Sequence, residues 1–224
     1  MSKKKFKEVI LSYLILGITL ALVHTKAEGT EEWTTVFEEN FDQSLEGSIP
    51  QDFFVLDGDF RVVSKEGRKC LSLSANPLGE HGFLFGPRLK GETVRLSFSC
   101  LGAFKSRRHN VFAGALGGIR GVAFRINPSS QEISFSKNEE PLSSYNTKWS
   151  SNQWMKVHLE TSNYLPFKKT SIHYKLAPES ERAFFSEGSL SFEEFLPSGR
   201  CVLWGFSYSG KEMYWDNLLI QLRN

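Results

Sequence analysis

Residues 93–101 read TVRLSFSCL. Val94, Leu96, Phe98 and Cys100 fall on one side of an extended chain, and Arg95, Ser97 and Ser99 on the other. Apolar against polar with a period of two marks a β-strand with one buried face. Residues 154–161 (WMKVHLET) repeat the pattern, setting Met155, Val157, Leu159 and Thr161 against Trp154, Lys156, His158 and Glu160. Further strand-like runs surround these two: 34–37, 60–63 (FRVV), 70–74 (CLSLS), 82–85 (GFLF), 111–116 (VFAGAL), 122–126 (VAFRI), 132–136 (EISFS), 169–176 (KTSIHYKL), 202–208 (VLWGFSY) and 213–222 (MYWDNLLIQL). Turn signals separate them: Lys65-Glu66-Gly67-Arg68 inside a hairpin, Gly86-Pro87, Gly117-Gly118 and Asn127-Pro128. Helical signal is confined to residues 192–196 (FEEFL), with Ser191 as a cap. The expectation is one all-β domain over residues 28–224, built as a sandwich, jelly roll or barrel.

Composition agrees. Phe supplies 19 of 224 residues, and aromatic side chains suit half-buried pleated surfaces. Hydrophobic residues make up 40% and charged residues 23%, which excludes a chain disordered throughout.

Residues 1–27 read as a secretory signal peptide. Lys3, Lys4, Lys5 and Lys7 precede the apolar run 9–23 (VILSYLILGITLALV), and Thr25 and Ala27 place small residues around a cleavage site. Fifteen residues span about 22 Å as a helix, short of the roughly 30 Å hydrocarbon core, so a cleaved leader is expected over a retained anchor. Membrane contact is expected only through an uncleaved leader, and the location is secreted, periplasmic or cell-surface. The chain carries a formal charge of +2, but residues 1–27 hold five lysines and one glutamate. The remainder has 22 basic and 24 acidic residues, a net of −2. Nucleic acid is therefore not an expected partner. Cys70, Cys100 and Cys201 each lie in an apolar run. Either one disulfide forms and one thiol remains, or all three are small buried hydrophobes. No Cys/His spacing suits zinc.

The two ends of the chain, taken together, carry a family resemblance. Residues 36–53 (VFEENFDQSLEGSIPQDF) form an F-x-E-x-F-D…G…P phrase, and residues 213–222 close the chain with an aromatic-Asp-Asn-hydrophobic strand. The pairing is similar to the concanavalin A-like lectin/glucanase sandwiches and to related jelly-roll carbohydrate-binding modules. The middle, 117–128 (GGIRGVAFRINP), 132–142 (EISFSKNEEPL) and 148–160 (KWSSNQWMKVHLE), resembles secreted bacterial members of that superfamily. Those members introduce a long central strand with W…G-x-W; here Asn152 stands where Gly is usual. The resemblance implies a two-sheet antiparallel jelly-roll β-sandwich.

Glucanases of this class place two or three carboxylates at alternate positions of one strand, because an acid and a base or nucleophile must face one groove. No strand here has that spacing. The acidic clusters, Glu38-Glu39 with Asp42, Asp57 with Asp59, Glu139-Glu140 and Glu193-Glu194, sit in turn-like stretches. A lyase needs a His or Tyr proton acceptor beside an Arg. Arg107, Arg108 and His109, and His173 with Tyr174, are the nearest approach; Arg107-Arg108 reads more simply as a solvated loop tip, and His158 and His173 as outward-facing strand residues. No nucleophile elbow, P-loop or zincin motif is present.

Two binding chemistries remain. In related sandwiches a calcium ion joins the first acidic turn to the last strand; the resemblance makes Glu39, Asn40, Asp42 and Asp216 the candidate ligands, all hard oxygen donors. For a glycan, apolar ring faces stack on aromatic side chains and hydroxyls find polar groups at the rim. Trp149, Trp154, Tyr214 and Trp215, with Arg107 and Arg108, are the candidate set. Val202, Trp204, Phe206 and Tyr208 share one strand face and are expected to be buried. The expected function is that of an exported, non-catalytic protein that binds a glycan or cell-envelope component. The alternatives are a polysaccharide hydrolase or lyase with an unrecognised site, and a structural or protein-binding envelope protein.

Overall fold

A computed structural model describes residues 32–76, 78–164 and 167–223. The leader expected over residues 1–27 lies outside them. Two antiparallel sheets pack face to face. The first runs β15 (Ser186–Glu193), β14 (Lys169–Pro178), β13 (Trp154–Tyr164), β6 (Thr93–Gly102), β17 (Met213–Arg223), β4 (Arg68–Leu73) and β3 (Phe60–Lys65), and β1 (Thr34–Glu39) also pairs with β17. The second runs β12 (Glu140–Asn146), β11 (Glu132–Lys137), β10 (Val122–Asn127), β9 (Val111–Leu116), β16 (Gly199–Phe206), β5 (His81–Leu89) and β2 (Phe54–Asp57). A small hairpin, β7 (Phe104–Lys105) and β8 (Arg108–His109), stands apart from both.

The period-two runs do what their alternation requires. Val94, Leu96, Phe98 and Cys100 of β6 and Met155, Val157 and Leu159 of β13 point into the space between the sheets and are buried there. From the second sheet they meet Phe83, Phe85, Phe112, Phe124, Phe135 and Leu203. Each such side chain contributes about 1.5–3 kcal/mol by leaving water. Trp215 lies in this core, with ring centroids 5.8 Å from Phe83 and 5.5 Å from Phe112, both edge-on. The β3–β4 hairpin turns through Glu66 (φ 55°) and Gly67 (φ 83°), with Lys65 opposite Arg68. Two consecutive positive φ angles define the tight turn that matches strand twist, and the spacing of residues 65–68 meets its hairpin expectation.

Two features depart from expectation. Residues 192–196 do not form a helix. Leu190 and Phe192 continue β15 against Ile172 and Thr170 of β14, and the period-two burial of Ser186 and Leu190 outweighs the local helical composition. No α-helix occurs among the described residues. Second, β17 does not alternate throughout. Its register against β6 shifts between Asp216 and Leu219, and Asn217 takes φ 50°. This bulge flips the parity: Met213 and Trp215 face the core before it, Leu218 and Ile220 after it. Asp216 is thereby aimed at the outer side of the first sheet.

Candidate functional site

The outer face of the second sheet is built on β16. Cys201 and Leu203 point inward, and Gly205 sits against the inner core, where a Cβ would come 2.6 Å from Trp215 Cη2. Val202, Trp204 and Phe206 therefore point outward, which corrects their expected place in the inter-sheet core. Alternation tells which residues share a face; it does not tell which face is inner when both are apolar. Val202 and Phe206 are still buried: Val202 lies opposite Ala115, and Phe206 forms a shallow floor with Val111 and Ala113 of β9. Trp204 is half-buried and lies opposite Gly82 of β5 and Ala113. Its indole leans across Gly82, where a Cβ would approach Cδ1 to 2.2 Å.

At the Phe206 end of this floor is a cleft of about 420 Å³. Arg107, Arg108 and His109 enter it from the β7–β8 hairpin, Arg125 and Asn127 from β10, and Tyr208 from beyond β16. Phe104 stacks on His109 at 5.3 Å, and Ser151 Oγ lies 3.0 Å from His109 Nδ1, so the hairpin is anchored on both sides of that ring. The Arg125 guanidinium sits 4.1 Å over Phe206 and 3.2 Å from a Glu80 carboxylate oxygen. Tyr208 is 40% exposed. No carboxylate lines the cleft.

Of the aromatic candidates, two are core residues. Trp149 is 5% exposed and packs on Phe112, and Trp215 is 0% exposed. Neither offers a ring face to a ligand, because the inter-sheet space needs their volume. Trp154 and Tyr214 do lie on the outer face of the first sheet, but they cover each other at 6.5 Å and Arg68 covers Trp154 at 4.0 Å. The Tyr214 hydroxyl is bonded to Glu212 at 2.6 Å. Arg107 and Arg108 are exposed and line the cleft described above. Sequence reasoning passed over Trp204 and Arg125 as site residues. Gly82 and Ala113, the small residues opposite Trp204 on its two flanking strands, are the signal that marks room above β16.

The four calcium candidates do not converge. Glu39 Oε1 accepts from the Phe41 amide at 2.6 Å and Asn40 Oδ1 from the Asp42 amide at 3.2 Å, both closing local turns. Asp216 Oδ2 accepts from Arg68 Nε at 2.6 Å and its Oδ1 from the Asn217 amide at 2.7 Å. Among the described residues no group of three or more His, Cys, Asp or Glu is arranged to hold a metal ion. Arg68 stands at Asp216 where a cation would be needed.

That arginine also holds Glu179, with Nη1 at 2.6 Å from Oε2, while Ser99 Oγ donates to Glu179 Oε1 at 2.6 Å. The two carboxyls are pulled opposite ways. Burial raises Asp216 more than the Arg68 hydrogen bond lowers it; at Glu179 burial also raises, but the bonds from Arg68 and Ser99 outweigh it. An acidic pair split by a guanidinium and lining none of the clefts described has no room for a sugar. A third arrangement lies further along the first sheet, where Ser97 Oγ is 2.7 Å from His158 Nδ1 in a cleft of about 290 Å³. Ser97 and His158 are a cross-strand pair. Burial, then the charges of Arg95, Lys156 and Lys175, push this imidazole down to about 4, so it stays neutral. Glu160, the carboxylate that could orient it, is held by Arg95 at 2.9 Å. A serine nucleophile without an oriented base is poorly equipped for catalysis.

The order of the two sheets and their connections can be compared with known folds. Arcelin-5, a lectin-like defense protein from Phaseolus vulgaris, superimposes with a TM-score of 0.54 over 84% of this chain and 97% of its own, at 12% identity. The Lotus tetragonolobus seed lectin gives 0.53 over 85% and 99%, also at 12% identity. The chain has a concanavalin A-like lectin fold. The lectin UEA-II complexed with galactose is a further structure with this sandwich, at a TM-score of 0.51 and 11% identity over 85% of this chain and 99% of that one. No family model matches the sequence, and no curated protein matches it. The jelly-roll expectation drawn from the two chain ends is thus met by this lectin-fold chain.

Proposed function

We propose that this protein is an exported glycan-binding β-sandwich that holds its ligand on the outer face of the second sheet and does not cleave it. The observation that carries the reading is the cleft beside Tyr208: arginines, an amide and an aromatic hydroxyl converge at the end of an apolar floor that bears Trp204, with no carboxylate in the lining. Apolar floor and polar rim are what a pyranose needs, one for its C–H face and one for its hydroxyls. The lectin fold of the neighbours, one of them solved with galactose, supports a sugar as the ligand. Export follows from the leader expected at residues 1–27. The test is a glycan array probed with the purified protein, each hit then incubated and assayed for cleavage products. Binding without cleavage, lost in Trp204→Ala while the melting temperature holds, supports the reading. Cleavage of a hit overturns it, and a blank array favours a structural or protein-binding role in its place.

A further inference from the structure

A second cleft, of about 520 Å³, lies at the opposite end of the same sheet face. Arg88 comes from β5, Arg200 from the start of β16, and Arg120 with Ile119 from the loop after β9. The loop is fixed by close backbone approach. Gly117 and Gly118 take φ 83° and 81°, and a Cβ at Gly117 would meet the Pro197 carbonyl oxygen at 2.6 Å. Only glycine fits there, so the position of Arg120 is built into the backbone.

The charged lining of the two clefts is uniform. Six of the chain's eleven arginines line them, three in each, although the chain holds sixteen lysines. No lysine and no carboxylate lines either one. Arg125 alone of the six has a carboxylate partner among the described residues, the exposed Glu80. On the first sheet, by contrast, Arg68 and Arg95 are both spent on internal acids. Arginine differs from lysine in offering a planar fork that matches carboxylate and sulfate oxygens two at a time. Between the clefts, β16 runs from Arg200 to Phe206, about 20 Å at ~3.4 Å per residue, with half-buried Trp204 on its outer side and the floor of Phe206, Val111 and Ala113 beside it. Since residues 28–224 carry a net of −2, this concentration of cations is local to one face.

We infer that the ligand is an acidic polysaccharide, lying extended along β16 over Trp204, with its anionic groups gripped by arginines at both ends of the sheet. The inference rests on the glycan-binding reading above and adds the substrate class and the binding direction. The anionic group is a carboxylate or a sulfate ester, which the arginine fork accepts alike.

The experiment is calorimetric titration of the purified protein with oligogalacturonate of two and of eight residues, the carboxyl-reduced octamer, dextran sulfate, dextran and poly-L-glutamate. An acidic sugar polymer should bind at least tenfold more tightly than its neutral counterpart. Preference for the octamer identifies a uronate ligand, preference for dextran sulfate a sulfated one. Arg88→Gln/Arg200→Gln, exposed positions at the far cleft, should weaken the preferred long polymer at least tenfold and leave the melting temperature unchanged. Equal binding of acidic and neutral sugars overturns the acidic class but leaves the glycan reading standing. Equal binding of poly-L-glutamate reduces the effect to charge and overturns the inference. An octamer or dextran sulfate affinity untouched by the double variant overturns the spanning mode. A protein that binds no acidic polymer, with a blank array, loses both readings.

Discussion

Arg68 Nε donates to Asp216 Oδ2 at 2.6 Å, joining residues 148 positions apart at the bulge of the last strand. Asp216 is buried, and Arg68 is the cation beside it. Arg68→Met leaves that carboxylate without a counter-charge. The expected loss is roughly 2–3 kcal/mol, below the ~3–5 kcal/mol of a fully buried pair because the arginine keeps part of its surface in water. Asp216→Asn, which removes the buried charge itself, should cost less. Urea titration of the two variants checks the order, and equal losses would show that the ion pair is not what stabilises the bulge.

Chelation of divalent cations should leave the melting temperature unchanged, because Arg68 and local amides already satisfy the oxygens of Asp216, Glu39 and Asn40. Scanning calorimetry with and without EDTA decides it; a fall on chelation would place a stabilising ion elsewhere in the chain.

Stability should decline on acidification from about pH 6.5 to about pH 4. His158 is pushed down to about 4 in the folded chain, chiefly by burial, against 6.5 when unfolded. Within that window the unfolded state binds a proton that the folded state refuses, so stability falls as pH falls. The size is about 1–2 kcal/mol after allowing for partial exposure of the ring. His158→Gln keeps a partner for Ser97 without titrating, and should flatten this part of a melting-temperature profile against pH.

All three cysteines are free and buried, and burial pushes the Cys201 thiol up to about 12. Native protein should be inert to a thiol reagent at neutral pH, and three thiols should react after denaturation. A reductant should leave the melting temperature where it was.

Gly82→Ala places a methyl group 2.2 Å from Trp204 Cδ1 and 2.9 Å from the Leu203 carbonyl oxygen. The indole must move off β5. Glycan affinity should drop about tenfold, or ~1.4 kcal/mol, with the strands retained by circular dichroism. Trp215→Ala, at the core, should instead cost about 3–5 kcal/mol of stability.

Strands β6 and β13 were legible because each has one buried face, so polarity and pleat report the same thing. The Glu66-Gly67 turn was legible from the spacing of its two strands and from Gly67, which takes a positive φ without steric cost. Asn152, standing where Gly is usual, takes φ 63°, and the left-handed position explains why only such residues serve there. The outer face of the second sheet was hidden. Val202, Trp204 and Phe206 are as apolar as the inward Cys201 and Leu203, and hydrophobicity cannot rank two greasy faces. Arg88, Arg120 and Arg200 come from separate stretches and become neighbours only when the strands pair. The Arg68 network spans 148 residues and has no local signature at all.

Strand β17 lies in the middle of its sheet, between β6 on one side and β4 and β1 on the other, yet it follows every other strand of the described residues in sequence. During synthesis the earlier strands wait for their centrepiece. Until residues 213–223 emerge, β1 has no ladder in the first sheet to join, and Trp215 is missing from the core. Folding of this sandwich is therefore governed by contacts of very long sequence separation and is correspondingly slow. Clipping a few residues from its C-terminal strand should be far more damaging than adding many to a surface turn.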